Sequence, residues 1–239
     1  MKIEIWSDFV CPFCYIGKRL LEQALEQFEH RDKVEVFFKS YELNPYAKND
    51  RNLSVYEELS GKYRMSIDET KQMVRNVVKR AESVGLTYNF DLIKQVNTFN
   101  AHRIFKYAET KGKGDALTER FFRAHFTEGQ FIGDDEVLIT LSKEVGLDET
   151  EVKQVLESDA FTEEVRKDQQ EARQIGVQGV PFFVINRKYA ISGAQPLELF
   201  VDTLKQVYQE ETQTIKLTPV SGDDSLACDD DGCVVPEKK

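Results

Sequence analysis

The chain has 239 residues, of which 41% are hydrophobic and 31% charged, and its formal net charge is −10. This composition is typical of a soluble globular protein long enough for one large domain. The negative charge and the lack of Lys/Arg runs argue against nucleic acid and anionic membranes as partners, because neither phosphate-rich surface would be neutralised. No apolar run reaches the roughly 20 residues that span a bilayer.

The start of the chain and its cysteines favour a cytoplasmic location. Residues 1–10 lack the uninterrupted apolar segment of roughly 7–15 residues that a secretory signal needs. Four cysteines are too few for a disulfide framework in a chain of this length. They form two close pairs, Cys11/Cys14 and Cys228/Cys233, and in a reducing compartment such pairs are typically redox-active or metal-binding.

Residues 2–45 predict a strand, a helix and a second strand. Alternation over residues 2–6 indicates the first strand, and helical spacing of apolar residues continues from Pro12 to about Glu29. Proline suits the first helical position, where its missing N–H costs nothing. Residues 34–43 predict the second strand, and a crossover of this length implies that the two strands pair in parallel.

Residues 46–175 predict helices almost throughout, far beyond an ordinary connection of roughly 2–6 residues. Ser66 and Glu69 have the spacing of a capping box at the start of one of these helices. The predicted helices cover residues 66–84, 97–111, 115–126 and 137–145, a segment opening at Asp148, and residues 160–175. We interpret the whole segment as a helical insertion into an α/β core.

Strand character returns at residues 180–185 and 189–192, joined by a short turn that predicts an antiparallel hairpin. A helix over residues 196–211 closes the core. The domain prediction is therefore a core of residues 1–45 and 176–211, an insertion of residues 46–175, and an acidic tail of residues 212–239 that carries the second cysteine pair.

The first cysteine pair has the context of a redox site. A thiolate, not a thiol, attacks a disulfide, and an ordinary cysteine is mostly protonated at neutral pH. Cys11 directly precedes a predicted helix, whose unpaired N–H groups and positive dipole end favour an anion. Cys14 lies within the first turn, where a second thiol can attack the mixed disulfide and release the substrate. This arrangement predicts Cys11 as the nucleophile and Cys14 as the resolving group.

Other roles for the cysteines stay open. All four could bind zinc, although the four-residue gap between Cys228 and Cys233 is uncommon in structural zinc sites. The tail pair could instead be a second redox centre that exchanges with the first pair, an inert disulfide, or a weak metal site with Asp229 and Asp231. Because the flanking carboxylates disfavour a thiolate, we expect the tail cysteines to be slower nucleophiles than Cys11.

Two sequence blocks carry a family resemblance. Residues 7–14, Ser-Asp-Phe-Val-Cys-Pro-Phe-Cys, and residues 179–184, Gly-Val-Pro-Phe-Phe-Val, together closely resemble the DsbA-like branch of the thioredoxin superfamily. Within that branch the chain is most similar to the FrnE group of oxidoreductases, which is related to the 2-hydroxychromene-2-carboxylate isomerases. The resemblance covers residues 1–211 and includes residues 97–102. The tail pair resembles a second cysteine pair of some FrnE-like proteins.

The resemblance implies an α/β fold of the thioredoxin-like type, with a large all-helical insertion between the second and third core strands. It implies that Pro181 follows a cis peptide bond and faces the cysteines, and that Val180 offers backbone groups to a bound substrate segment. Without the resemblance, a trans bond would be expected, since cis bonds are only about 5–6% of X–Pro bonds. The redox-active disulfide takes the place of a bound cofactor, and no metal is expected.

Further residues are candidates for a substrate-facing surface. They are Pro12 and Phe13 between the cysteines, and Asn97 and His102 in the insertion. A local hydrogen bond within a helix is the alternative role for His102.

The chain also departs from the family pattern. Phe13 stands where strongly oxidising periplasmic members have a histidine, so we expect Cys11 to ionise less readily and the disulfide to be less oxidising. Ile5 occupies the position, six residues before Cys11, where many thioredoxins have a buried acid. Proton transfer to Cys14 would then need water or another group, and Lys39 and Glu42 are candidates, although a solvated surface charge is the alternative for each.

The favoured function is a thiol–disulfide oxidoreductase or isomerase acting on protein disulfides. Its expected partners are protein or peptide thiols and disulfides, with glutathione or a thioredoxin-type reductant as a possible electron partner. The alternative is a glutathione-dependent isomerase or transferase of the 2-hydroxychromene-2-carboxylate isomerase or kappa type, but those relatives generally have serine in place of Cys11. A third hypothesis is a non-enzymatic zinc-binding or chaperone-like protein.

Overall fold

The computed structural model describes residues 1–212 and the backbone of residues 228–229 and 232–233. The strands are β1 (Lys2–Ser7), β2 (Glu35–Ser40), β3 (Asp50–Ser54), β4 (Lys94–Gln95), β5 (Phe182–Ile185), β6 (Tyr189–Ser192), β7 (Cys228–Asp229) and β8 (Gly232–Cys233). The helices are α1 (Pro12–Glu26), α2 (Val55–Tyr63), α3 (Ile67–Glu82), α4 (Phe99–Thr110), α5 (Gly114–Phe126), α6 (Asp135–Glu144), α7 (Glu149–Glu157), α8 (Thr162–Gln174) and α9 (Leu197–Thr212).

The central sheet has four strands in the order β2-β1-β5-β6. β1 and β2 pair in parallel, which places Ser7 opposite Ser40, and β5 pairs antiparallel with both β1 and β6. The predicted parallel pair and the predicted hairpin are both confirmed. Residues 186–188 connect the two strands, and Asn186 and Arg187 adopt positive φ angles of 50° and 56° in this turn.

Helices cover both faces of this sheet. On one face, buried Ile5 and Phe183 pack in the same core as Phe200 of α9, and α9 also packs against α1. On the other face, the fully buried Trp6 packs with Ala172 of α8. The indole Nε1 of Trp6 donates to the backbone carbonyl of Asp168 in α8 at 2.9 Å, so its one polar group is satisfied. The sheet is therefore the middle layer of an α/β fold.

The segment predicted as all-helical also contains a small two-stranded sheet of β3 and β4. The sequence prediction missed β3 because its residues, Asp-Arg-Asn-Leu-Ser, are polar and do not alternate. It also missed α2, although Ser54 and Glu57 form the same capping box that correctly marks the start of α3 at Ser66 and Glu69. The division of residues 1–212 into a core and an insertion stays a prediction.

Several predicted boundaries move inward in the structure, among them those of β5 and α1. Strand β5 begins at Phe182 rather than at residue 180. Pro181 has no N–H to donate to the sheet, although its carbonyl still accepts a hydrogen bond from the Gly193 N–H at 2.8 Å. Helix α1 ends at Glu26, three residues before the predicted end.

Candidate active site

Cys11 lies at the amino end of α1, directly after β1 and the loop of residues 8–10. It is the N-cap residue, with an extended backbone (φ −89°, ψ 111°), and Pro12 occupies the first helical position. Its backbone N–H donates to the Asp8 carbonyl at 3.0 Å, and its own carbonyl accepts from the Cys14 N–H at 3.0 Å. This turn places Cys11 at the amino end of α1, where the positive end of the helix dipole favours a negative charge on its sulfur.

Cys14 lies within the first turn of α1, next to Cys11, and both cysteines are free thiols. The Cys11 side chain is 4% exposed and that of Cys14 is 2% exposed, so exposure alone does not distinguish the two. Burial, followed by the hydrogen bond and charge of Cys11, raises the pKa of the Cys14 thiol well above its ordinary value, while the Ser7 hydroxyl opposes that shift. Cys14 therefore needs a proton acceptor before it can attack a disulfide.

The loop before β5 contacts the cysteines. The Val180–Pro181 peptide bond is cis, and the Cys11 thiol contacts the Val180 carbonyl oxygen at 3.4 Å. Gly17 of α1 faces this loop so closely that an added Cβ would stand 3.0 Å from Pro181 Cγ. Sequence analysis missed Gly17, because a glycine inside a helix gives no signal until its packing partner is known.

Tyr88 fixes the segment between the cysteines and was also missed. Its hydroxyl donates to the Pro12 carbonyl at 2.7 Å, and its side chain is 7% exposed. Burial, followed by the Cys11 charge, raises the pKa of Tyr88, so the hydroxyl stays protonated as a donor. Phe13 is the exposed residue of the motif, at 37%, and the guanidinium of Arg80 lies 5.8 Å from its ring centre. Pro12 is half-buried.

His102 lies in the interior and is 2% exposed. Its Nε2 lies 3.3 Å from Oδ1 of Asp8, which is itself 1% exposed. The other oxygen of Asp8 accepts a hydrogen bond from the Leu43 N–H at 2.7 Å. The imidazole also packs on Phe9, with 4.8 Å between the ring centres. Helical spacing alone does not show which face of α4 is covered, and the substrate-facing role of His102 stays a prediction.

Asn97 is half-buried and connects two loops. Its Nδ2 donates to the carbonyls of Pro45 and Ala47 at 3.3 and 3.0 Å, and its Oδ1 accepts from the Phe99 N–H at the start of α4. All of these contacts are to backbone. Asn97 therefore holds the loop after β2 against α4, and it does not contact either cysteine of the motif.

The two predicted proton-transfer candidates are engaged in ion pairs. The Lys39 ammonium lies 3.1 Å from Asp168 and 3.3 Å from Glu171. Burial lowers the pKa of Lys39, but the two carboxylates outweigh it and raise the pKa overall, so the side chain stays charged. Glu42 accepts from Arg166 at 2.6 Å and from Gln169 at 2.7 Å. Both side chains are therefore held in place by charged or polar partners, while Oε1 of Glu42 has no hydrogen-bond partner among the described residues.

The second cysteine pair lies almost entirely outside the described residues. Cys228 and Cys233 face each other as backbone partners of β7 and β8, and their side chains are not described. The second redox pair therefore stays a prediction. Among the residues that the structure describes, no three His, Cys, Asp or Glu side chains cluster closely enough to hold a metal ion. None of the described helices is long and apolar enough to cross a membrane.

Comparisons with known proteins agree with this architecture. Residues 2–205 match the model of the DSBA-like thioredoxin domain. A probable DsbA oxidoreductase from Streptomyces coelicolor is 41% identical, with a TM-score of 0.83 over 99% of this chain and 100% of that one. The Bacillus subtilis protein YwbO is 30% identical over 202 residues, 84% of this chain and 94% of that protein. The cytosolic disulfide reductase DsbM of Pseudomonas aeruginosa is 16% identical, with a TM-score of 0.60 over 88% and 100% of the two chains, and shares the fold.

Proposed function

The chain belongs to the DSBA-like thioredoxin domain family, and from this premise we propose that it is a thiol–disulfide oxidoreductase or isomerase that acts on protein disulfides through Cys11 and Cys14. Family membership supports an oxidoreductase or isomerase activity. One observation carries the finer proposal. A free thiol at the N-cap of α1 contacts the carbonyl that precedes Pro181, and a second free thiol lies one turn further into the helix.

The first step is attack of the Cys11 thiolate on one sulfur of a substrate disulfide. A new bond forms between the Cys11 sulfur and that substrate sulfur, the substrate S–S bond breaks, and the other substrate sulfur leaves as a thiolate that takes up a proton. The helix amino end favours the attacking anion. The Val180 carbonyl, which now accepts from the Cys11 thiol, belongs to the backbone that an incoming extended segment would meet.

The second step is attack of Cys14 on the Cys11 sulfur of the mixed disulfide. Cys14 loses its proton, the Cys11–Cys14 disulfide forms, and the second substrate sulfur leaves as a thiol. In total, two electrons and two protons pass from the cysteine pair to the substrate. If a substrate thiol attacks the mixed disulfide before Cys14 does, the disulfide moves within the substrate with no net electron transfer, which is isomerisation.

The surface beside Cys11 favours an apolar segment of the substrate. Phe13, at the amino end of α1, is 37% exposed, and Leu43, in the loop after β2, is 39% exposed. The Leu43 N–H donates to the carboxylate of Asp8, which lies in the loop that leads to Cys11. A contiguous apolar patch on a surface commonly marks a contact site, and we propose that these two side chains belong to one. We therefore place the substrate's side chains against Phe13 and Leu43, with Val180 along its backbone.

We further propose that the protein works in the cytoplasm and that a low-molecular-weight thiol such as glutathione regenerates the Cys11/Cys14 dithiol. Four cysteines in 239 residues suit a reducing compartment. The DsbM structures support the choice of electron donor for a first test, since that protein is described as a cytosolic disulfide reductase and was also solved with GSH. Two molecules of the thiol reduce the protein disulfide and leave as one disulfide.

The test is insulin reduction with glutathione as the electron donor. We expect turnover from the full chain, complete loss of turnover in Cys11→Ser, and near-complete loss in Cys14→Ser. The Cys228→Ser/Cys233→Ser double variant is the matched control, since it removes two cysteines and leaves the first pair intact. Unchanged turnover in Cys11→Ser would disprove the proposal. Loss of turnover in the double variant alone would show that Cys228 and Cys233, and not Cys11 and Cys14, carry the activity.

A further inference from the structure

A small cavity lies at the carboxyl ends of β1 and β2, between the sheet and the helices α4 and α5. The centre of a water molecule can occupy a volume of about 10 Å³ in it. Its lining combines apolar rings with polar side chains, namely Ser7, Phe9, Phe38, Lys39, His102, Phe105 and Thr118. Roughly 10–15 Å³ of such space is the least that one water needs, so this cavity has room for one water at most. Such a water is stable only where polar groups can bind it.

Three buried polar atoms around this cavity have no hydrogen-bond partner among the described residues. They are Oγ of Ser7, Nδ1 of His102 and Oγ1 of Thr118, whose side chains are 6%, 2% and 1% exposed. Leaving such a group unsatisfied is destabilising, because it has lost its hydrogen bonds to water and gained none in return. Three polar atoms around one space the size of a water are what a bound water requires, because it can satisfy all three at once.

The Asp8 carboxylate decides which nitrogen of His102 faces this water as an acceptor. An ionised carboxylate only accepts hydrogen bonds, so Nε2, which lies 3.3 Å from Asp8 Oδ1, carries the proton and donates it. In a neutral imidazole the other nitrogen, Nδ1, then has a free lone pair. His102 is thus oriented by Asp8 in the way that a buried carboxylate orients the histidine of a general base.

Ser7 connects the cavity to the cysteine pair. Its hydroxyl lies next to the Cys14 thiol, where it stabilises the thiolate. Among the described residues, the Ser7 hydroxyl makes no hydrogen bond of good geometry. It can therefore bond to a water on one side and to the Cys14 sulfur on the other. The polar groups then form a continuous series from the buried thiol to the imidazole.

We propose that one water bound in this cavity, together with Ser7, carries the proton of Cys14 to Nδ1 of His102 when Cys14 attacks the mixed disulfide. The proposal rests on the proposed function and adds the group that removes the proton. The Cys14 proton moves to Ser7 as the Ser7 proton moves to the water and a water proton moves to His102. Cys14 then bonds to the Cys11 sulfur, the substrate thiolate leaves, and the imidazolium remains paired with Asp8 until it returns the proton to solvent or to the leaving thiolate.

The other titratable groups near the relay are less suited to this task. Lys39 lines the cavity from β2, but its ammonium is paired with Asp168 and Glu171 and cannot accept a proton. His125 of α5 is buried near Asp8, but it is not among the residues that line the cavity. Cys11 faces Cys14 directly and is consumed in the mixed disulfide. His102 is the remaining lining residue whose side chain can act as a base.

The experiment separates the two cysteines by their successive reactions with the aromatic disulfide dithiobis-nitrobenzoate, in full-length protein carrying Cys228→Ser and Cys233→Ser. Attack by Cys11 releases one coloured thiolate, and attack by Cys14 on the resulting mixed disulfide releases a second. In His102→Gln, whose amide keeps a bond to Asp8, we expect the second phase to slow about 10²-fold near neutral pH, the magnitude typical of a lost general base. We expect the first phase to stay unchanged.

The pH profile distinguishes a proton relay from a structural role. Without the relay, Cys14 depends on its own ionisation, and the anion fraction of a thiol below its pKa rises about tenfold per pH unit. The deficit of His102→Gln should therefore shrink as the pH rises. Ser7→Ala should show the same selective loss and serves as the second variant if His102→Gln does not fold. His125→Gln removes the other buried imidazole and should leave both phases unchanged.

The outcomes are distinct. Equal slowing of both phases, or an unchanged second phase in both His102→Gln and Ser7→Ala, would overturn the relay. A lack of any second phase in the parent protein would instead refute the proposed function. A crystal structure of the reduced protein should place a water within hydrogen-bond distance of His102 Nδ1, Ser7 Oγ and Thr118 Oγ1, and a dry cavity would contradict the proposal.

Discussion

Gly17 in α1 lies directly against Pro181, in the loop that faces the cysteines. A Cβ atom at Gly17 would stand 3.0 Å from Pro181 Cγ and 3.0 Å from Cζ of the fully buried Phe183. Because Pro181 follows the carbonyl that the Cys11 thiol contacts, this close approach positions the helix and the loop relative to each other. The absent side chain of Gly17 is therefore part of the site's geometry.

Gly17→Ala should weaken both stability and activity. Overpacking a well-packed site costs about 1–3 kcal/mol, and the better helix propensity of alanine returns up to about 1 kcal/mol. We expect a net loss of about 1 kcal/mol in the free energy of unfolding, measured by urea titration, and several-fold slower insulin reduction. Gly61→Ala in α2 is the matched control, because an added Cβ there meets nothing within 4 Å, and it should be stabilising. Equal effects of the two substitutions would contradict this account.

Tyr88→Phe should loosen the segment between the cysteines. It removes the hydroxyl that donates to the Pro12 carbonyl at 2.7 Å, a bond worth about 0.5–1.5 kcal/mol net. We expect this loss in stability, together with a few-fold slower attack by Cys11 in the first phase of the aromatic disulfide assay. Tyr56→Phe, which removes an exposed bond to Asp91, should leave the first phase unchanged. An unaltered first phase in Tyr88→Phe would show that Tyr88 does not position the motif.

The reduced protein should lose stability in mild alkali because of Cys14. Burial, followed by the neighbouring Cys11, raises the pKa of Cys14 in the folded protein, whereas in the unfolded chain it ionises near pH 8.5. The contribution of Cys14 to the free energy of unfolding is therefore complete below about pH 8.5. It declines as the pH rises, since the unfolded state then binds fewer protons than the folded state. Urea titrations of the reduced protein should show this decline, and Cys14→Ala should reduce it. The same alkaline slope in both proteins would refute the assignment.

Acid should destabilise the fold through His125. Burial lowers the pKa of His125 to about 4, from an ordinary value near 6.5, and the Asp8 charge only partly opposes this. The contribution is present above about pH 6.5 and is lost as the pH falls through 4, because the unfolded state binds the proton first. The full loss in the free energy of unfolding from this group is about 3 kcal/mol. Unfolding titrations between pH 7 and roughly 4 should show a flatter dependence in His125→Gln, and an equally steep dependence would contradict it.

The parts of the fold that sequence patterns predicted are those with local causes. Capping chemistry at Ser66 and Glu69 and the crossover between β1 and β2 depend on a few neighbouring residues or on connection length. The same local logic would have found α2 from Ser54 and Glu57. The pairing of β3 with β4 was not predictable in this way, because its polar residues gain their partner from a strand about 40 residues further along the chain.

The candidate site divides in the same way. The placement of Cys11 before a helix could be predicted from its sequence neighbours, since Pro12 marks the first turn. The burial of His102 against Asp8, the bond from Tyr88 to Pro12 and the contact of Gly17 with Pro181 all join distant parts of the chain. No local pattern encodes such contacts, so they became visible only in the folded structure.

The central claim is that Cys11 attacks the disulfide and Cys14 resolves the product, and adduct mapping tests it most directly. Cys14→Ser and Cys11→Ser would each be incubated with glutathione disulfide, and the modified peptide identified by mass spectrometry. We expect Cys14→Ser to accumulate glutathione on Cys11, and Cys11→Ser to leave Cys14 unmodified, because burial keeps that thiol protonated. Modification of Cys14 as fast as that of Cys11 would contradict the assignment of the two roles.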